Sequence, residues 1–405
     1  MRPLPPSCVL ALTFASACVA YEPVDADLER LAAASRRGDG GTFSFASAAA
    51  VAMRDNPELR AAAARARAVG VDTVPFDVEA EWRGNEDMLA LLVDPLELLG
   101  VGPRAGAVAE VAAEASAAAV ELAQVRWRVF GELLELFLRQ REVATLTVPA
   151  LDFDAAAWER SGVAAPAEVG KLRAAQARAV AMKAWLDALQ RQDRAALARV
   201  LGRHPDVAVA FDLALDPLRD PVPADDAALL RRPDLRLTAA RLQIAEATFR
   251  RAVAEQYPAV KLGPDLPLDG GGVQGMAVLR LPFHAVGRAE AARERRDAAF
   301  ADLSAAWLAV SQEAVAATAE LEVAAAEERA AEAARDAAEQ ALRSAAAAAR
   351  TEIDGFGMFG ERAVMALAET EQHHRAVLAR VRAQARFAFV HGWPLGARGL
   401  PEVRP

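Results

Sequence analysis

The sequence predicts a mainly α-helical chain with a small β component, built as a duplicated helix–strand–strand–helix unit. Three observations carry that prediction. Alanine supplies much of the 54% hydrophobic content, in runs such as Ala345 to Ala349. Alanine favours helix and buries little area, which suits long, closely packed helices better than a bulky globular core. The same short motifs occur twice in the same order. Two pairs of strand-like segments interrupt helices patterned in heptads.

The duplication is explicit. Asn56-Pro57-Glu58-Leu59-Arg60 and the five residues after it align with Arg232-Pro233-Asp234-Leu235-Arg236 and their continuation, with six of ten positions identical. Pro95 precedes Gly100 by five residues, and Pro282 precedes Gly287 by five. Each pair stands between a strand-like segment and a long helix. Two anchors in one order identify an internal repeat.

In the first unit, a helix is expected over 45–69. Val74, Phe76, Val78, Ala80 and Trp82 then alternate with Asp77, Glu79 and Glu81, the period-2 signature of a half-buried strand. Arg83 to Glu86 reads as a turn and Met88 to Leu98 as a second strand. Pro103 opens a helix. Val108, Val111, Ala115, Ala118, Leu122, Val125 and Val129 form its heptad seam as it runs to about Val143, a length of roughly 60 Å.

The second unit begins with a helix over 225–254. Val260 and Leu262 alternate with Lys261 and Gly263; Asp269 to Gly272 makes a hairpin turn; and 273–283 returns with Ala277, Leu279, Leu281 and Phe283 on one face. The helix from Arg288 to Arg350 carries Phe300, Leu303, Trp307, Val310, Ala314, Ala317 and Leu321 at heptad spacing and approaches about 100 Å. Such a helix needs neighbours along its whole length. Four strands are too few to close a barrel with a lumen, so a barrel requires strands from several chains.

Residues 1–17 read as a signal peptide, with Arg2, an apolar stretch from Val9 and the small residues Ala15-Ser16-Ala17 before Cys18. The arrangement resembles a bacterial lipobox, in which Cys18 becomes the lipidated first residue. Ala15 stands where leucine is usual. The remaining boundaries follow: an extended linker at 18–44, repeats at 45–203 and 225–396 separated by a linker at 204–224, and a tail at 397–405.

Several functions are excluded. A net charge of −9 argues against nucleic-acid binding. Two cysteines provide no disulfide scaffold and no cysteine-built zinc site. No run of about 18 apolar residues offers a membrane-spanning helix, so a membrane crossing has to be a β-barrel. His373 and His374 diverge by roughly 100° on a helix and do not share a metal, and His204, His284 and His391 are isolated, so no metal and no cofactor are expected. Gly270 to Gly272 opens no helix with a Lys-Ser/Thr pair, and no catalytic constellation is visible, so the chain is not read as an enzyme.

Asn56-Pro57-x-Leu59 in an alanine-rich helix resembles the N-terminal signature of TolC-like outer-membrane efflux proteins. Arg232-Pro233-Asp234-Leu235, Tyr257-Pro258-Ala259-Val260 and Leu281-Pro282-Phe283 followed by Gly287-Arg288 are similar to that family's second half, and Asp94-Pro95-Leu96-Glu97-Leu98 with Gly100 and Arg104 to its heavy-metal cation-efflux branch. The resemblance implies a homotrimer in the bacterial outer membrane. Each chain gives four strands to one shared twelve-stranded barrel and long helices to a periplasmic α-barrel. It implies a passive exit duct for heavy-metal cations or small toxic molecules, docked to a periplasmic adaptor protein and an inner-membrane pump. By matching motifs, the docking tips fall near 161–169, with Gly162, Val163 and Pro166, and near 352–362, with Gly355, Gly357 and Gly360. Asp77, Glu79 and Glu81 are candidates for the barrel lumen. The alternatives are a nonconducting exported coiled-coil scaffold and a degenerate relative of the family.

Overall fold

A computed structural model of the chain describes residues 28–37, 40–71, 78–83, 88–95, 102–151, 153–162, 165–213, 226–267, 273–282, 285–351 and 355–392. In chain order these form α1 (Leu28–Arg36), β1 (Gly41–Phe43), α2 (Phe45–Asp55), α3 (Pro57–Val71), β2 (Val78–Arg83), β3 (Met88–Val93), α4 (Pro103–Thr145), α5 (Ala155–Ser161) and α6 (Pro166–Val200). The second half contributes β4 (Val209–Phe211), α7 (Asp226–Leu229), α8 (Pro233–Ala254), β5 (Ala259–Pro267), β6 (Gln274–Arg280), α9 (Ala285–Thr351) and α10 (Gly355–Val390). Cys18, Asp77, Val163, the signal segment, the hairpin turns at 84–87 and 268–272 and the tail at 397–405 lie outside the described residues.

The duplicated plan is present, with local departures from the sequence reading. The helix expected over 45–69 is two helices, because Pro57 has no N–H to continue the ladder and instead opens α3. Arg232 and Pro233 divide α7 from α8 in the same way. The segment read as an extended linker at 18–44 holds α1 and β1, and the linker at 204–224 holds β4. These strands pair in parallel, Gly41 with Val209 and Phe43 with Phe211. Strand β3 stops at Val93, before Asp94 and Pro95, and β6 stops at Arg280, before Leu281 and Pro282, since proline cannot donate to the ladder.

Four strands form one antiparallel sheet in the order β2-β3-β5-β6, so the two hairpins join through β3 and β5. The helices run away from this sheet, and the apolar core lies in separate patches along them. The larger patch gathers Phe45, Phe130, Leu134, Phe137, Leu197 and Val381 where α2, α4, α6 and α10 meet. A second collects Val169, Leu172, Leu342, Phe359 and Leu367 at the far ends of α6, α9 and α10. On α9 the buried positions Val310, Ala314, Ala317, Ala324, Ala331, Leu342, Ala345 and Ala349 continue the heptad seam read from the sequence.

Candidate functional site

The sheet has one apolar face. Val93 pairs with Leu262, Val260 with Leu279 and Leu262 with Ala277, and directly paired residues share a face. Register and alternation put Val78, Ala80, Trp82, Leu89, Leu91 and Leu266 at positions of that same face. Val260, Leu262 and Leu279 are 40%, 47% and 60% exposed. The other face has the positions of Glu79, Glu81, Arg83, Lys261, Asp265 and Gln274. Lys261, Ala90, Leu92 and Asp94 are buried there. A water-soluble domain turns its apolar face inward; this sheet turns it outward. Among the lumen candidates, Glu79 and Glu81 hold register positions opposite Leu92 and Ala90, on the polar face.

At the far end of the helices, α5 is capped by Asp154, whose carboxylate accepts from the backbone N–H of Ala156 and Ala157 at 3.0 Å. It ends at Gly162, which is left-handed at φ 65° and exposed. Pro166 is the first residue of α6, and the Glu168 carboxylate accepts from the Ala165 N–H at 3.3 Å. The first tip thus lies between a helix capped at Gly162 and one that starts at Pro166. The second differs. Gly355, Gly357 and Gly360 belong to α10 and not to a turn. Phe359 explains this: it is 1% exposed and packs at 4.2 Å from the Phe153 ring centroid, with Trp158 at 5.9 Å, which anchors the chain in helix by that point. Gly360 is buried against α6, where a Cβ would lie 3.4 Å from the Glu168 carbonyl oxygen. It serves the close approach of α10 to α6. Lys171 pairs with Glu361 across the same gap and holds that carboxyl below its ordinary value.

Two joints link the helix ends to the repeat starts, and sequence reasoning saw only half of each. The Asn56 side-chain oxygen accepts from the N–H of Glu58 at 2.9 Å and of Leu59 at 3.1 Å, and its amide donates to the Val200 carbonyl at 2.8 Å. Arg232 occupies the equivalent place and donates to the Val390 carbonyl at 3.3 Å. Val200 and Val390 end their helices just before Gly202 and Gly392, whose φ values of 71° and 70° only glycine adopts freely. Arg232 also pairs with Asp234 at 2.6 Å and Glu313 at 2.8 Å and lies over Trp127, which stacks on Phe389 at 3.8 Å. Burial opposes the Arg232 charge, but Asp234 and Glu313 more than offset it and raise its pKa. The glycines at 202 and 392 were the available signal.

No protein-family profile and no curated protein matches the chain. Solved structures do. A membrane protein from Pseudomonas aeruginosa superposes with a TM-score of 0.68 at 19% identity, covering 92% of this chain and 99% of that one. CusC, solved in conformations that accompany folding and transmembrane channel formation, gives a TM-score of 0.68 at 13% identity over 88% and 94%. The open state of the Neisseria gonorrhoeae MtrE outer membrane channel gives 0.62 at 18% identity over 89% and 91%. This chain has the TolC-like outer-membrane channel fold that its duplicated motifs resemble.

Proposed function

We propose that the chain is the outer-membrane channel subunit of a tripartite efflux system, a passive duct with no catalytic step. The observation that carries this is the sheet with its apolar face outward and charged positions on the other. Lipid outside and water inside fit that pattern. Four strands do not close a barrel with a lumen, so three copies contributing twelve strands fit the family plan.

The packing of the long helices supports an assembly. Helix α4 is flanked from both sides, by α3 and α6 of its own half and by α8 and α10 of the other. Helix α9 packs on α8 and α10, while its opposite side exposes Leu308 at 69%, Val315 at 72% and Val323 at 57%. Applying the internal repeat once more supplies what α9 lacks: α3 and α6 of a second copy. That is a head-to-tail contact, which closes into a ring.

The remaining readings follow from the family plan. Residues 1–17 direct export, and Cys18 carries the lipid. The ten residues from Cys18 to Leu28 reach about 35 Å when extended, whereas α3 spans about 22 Å between its joint and the sheet. Helix α1 lies near that joint, where the His204 N–H donates to the Ser35 carbonyl at 3.0 Å. The tips, with Gly162, Val163 and Pro166 in one and the start of α10 at Gly355, Gly357 and Gly360 in the other, meet the periplasmic adaptor, and through it an inner-membrane pump. Asp77, Glu79 and Glu81 line the lumen and favour cations, in keeping with heavy-metal cations or small toxic molecules as cargo.

The deciding experiment is extraction of the full chain from outer membranes, oligomer analysis and planar-bilayer recording. A heat-resistant trimer with stepwise conductance is expected. A soluble periplasmic monomer overturns the duct, and a trimer without conductance selects the nonconducting relative.

A further inference from the structure

Helix α9 leaves one seam uncovered, and that seam is nearly without charge. Ala301, Leu308, Val315 and Glu322 stand seven residues apart on the exposed side, with Ser304, Gln312 and Ala319 exposed in the turns between. Glu322 is the one charge among them. Its carboxylate forms no ion pair and no hydrogen bond among the described residues, whereas Glu320 and Glu328 pair with Arg386 and Arg380 of α10. Helix α6 has the complementary surplus. Toward α4 its charges are matched, Asp193 with Arg139 and Arg199 with Glu132. Arg191 and Arg194, turned about 160° and 100° round the helix from Asp193, are exposed and form no ion pair among the described residues.

The internal repeat sets these groups at one level. Val200 and Val390 close equivalent joints, so Arg191 corresponds to Val381 and Arg194 to Gln384. Val381 lies in the apolar patch where α10 covers α4. Arg191 therefore occupies a position that faces a neighbouring stave, yet it is exposed in the single chain. The two flanks of α4 stand level to about one helical turn: Arg199 of α6 meets Glu132, and its counterpart Phe389 of α10 stacks on Trp127 and closes on Gly131. On α9, Val381 and Gln384 lie between the contacts of Arg380 with Glu328 and of Arg386 with Glu320, level with residues 322–327. A second α6, laid on the bare side of α9 as α10 lies on α4, brings Arg191 and Arg194 to the level of Glu322.

On the basis of the head-to-tail assembly inferred above, we propose that Glu322 of one copy is held by Arg191 and Arg194 of the next, an interchain ion pair that fixes the register of α9 against α6. Alanine, leucine and valine bury similar area one heptad out of place, so the apolar part of the seam does not choose a register. A single charged residue at a heptad position does. Displaced by seven residues, Glu322 is shut into the seam without a partner, and the guanidiniums lose theirs.

The test is crosslinking of the full chain in outer membranes. Glu322→Cys with Arg194→Cys, and Glu322→Cys with Arg191→Cys, are treated with a short bismaleimide, because an arginine–glutamate pair separates Cα atoms by more than the ~7 Å a disulfide bridges. All three positions are exposed in the single chain, so the changes spare its core. Covalent dimers and trimers are expected from both pairs. None above background is expected from the single-cysteine chains or from Leu308→Cys with Arg194→Cys, whose α9 site lies about 21 Å from Glu322 along the axis. Charge reversal gives the second arm. Glu322→Arg, or Arg191→Glu with Arg194→Glu, is expected to lower the temperature at which the trimer dissociates, and the triple variant to regain it. A wild-type trimer that persists while neither pair links, or reversals that do not rescue one another, overturns the ion pair and leaves the assembly standing. A wild-type chain that forms no oligomer overturns the assembly and the ion pair together.

Discussion

The two halves of the chain solve one packing problem with unequal parts. The first half has a 43-residue stave, α4, that is buried on both sides near its centre and then breaks at Leu146. The second has a 67-residue stave, α9, that runs unbroken but is covered on one side. Their joints differ likewise: an amide at Asn56, a guanidinium at Arg232. The difference shows what alanine-rich duplication leaves to the larger side chains. Trp127, Phe130, Leu133 and Phe137 fill the space around α4, so the half that is complete within one chain can be interrupted. The half that waits for a neighbour stays continuous and narrow, with alanines along its seam.

If α9 is completed by a second copy, a charge on its bare side should have the largest effect. Leu308→Glu with Val315→Glu should abolish the oligomer while leaving the circular dichroism of the chain unchanged; an intact trimer would break the comparison with α4. Next come the joints. Arg232→Ala leaves Asp234 and Glu313 unpaired, and because both are about one-third exposed the loss should be roughly 2–3 kcal/mol, under the ~3–5 of a fully buried pair. Asn56→Ala should lose about 1–2 kcal/mol, the worth of a cap and one buried hydrogen bond. Denaturant titration ranks the two, and equal losses would show that the guanidinium adds nothing beyond the cap.

Acidification should discriminate between the halves as well. The folded value of His374 lies below its ordinary 6.5, at about 4. The unfolded chain therefore binds more protons between these values. Its stabilising contribution is complete above pH 6.5 and declines as the pH falls toward 4. Thermal melts across that window should show a slope that His374→Gln flattens. The smallest effect belongs to the sheet: Glu79→Gln with Glu81→Gln should lower cation preference in bilayer recordings without altering assembly, and an unchanged reversal potential would remove these positions from the lumen.

Much of this was legible in the sequence because it rests on periodicity. The heptads of α4 and α9, the alternation in β2 and β6 and the doubled proline motifs are local patterns that burial imposes directly. The joints were half legible. Asn56-Pro57 and Arg232-Pro233 announce themselves as helix starts, but the carbonyls they hold, at Val200 and Val390, are 144 and 158 residues away. The second tip was half legible: one helix ends at Thr351 and the next starts at Gly355, inside the stretch read as the tip, but Gly357 and Gly360 already belong to α10, where Phe359 packs against Phe153 and Trp158 in a contact that no local pattern encodes. The pairing of β1 with β4 escaped for the same reason: three-residue strands have no readable period.

By itself the sequence determined the class of elements, their order, their duplication and which face of each strand is apolar, since these follow from residue type and spacing. Tertiary structure alone decided that the apolar sheet face is the exposed one, that α4 is flanked twice and α9 once, and that the buried His373 of α10 meets an arginine of α9. Those are contacts between residues far apart in the chain, and the free energy of such contacts depends on what lies opposite, which spacing along one segment does not specify.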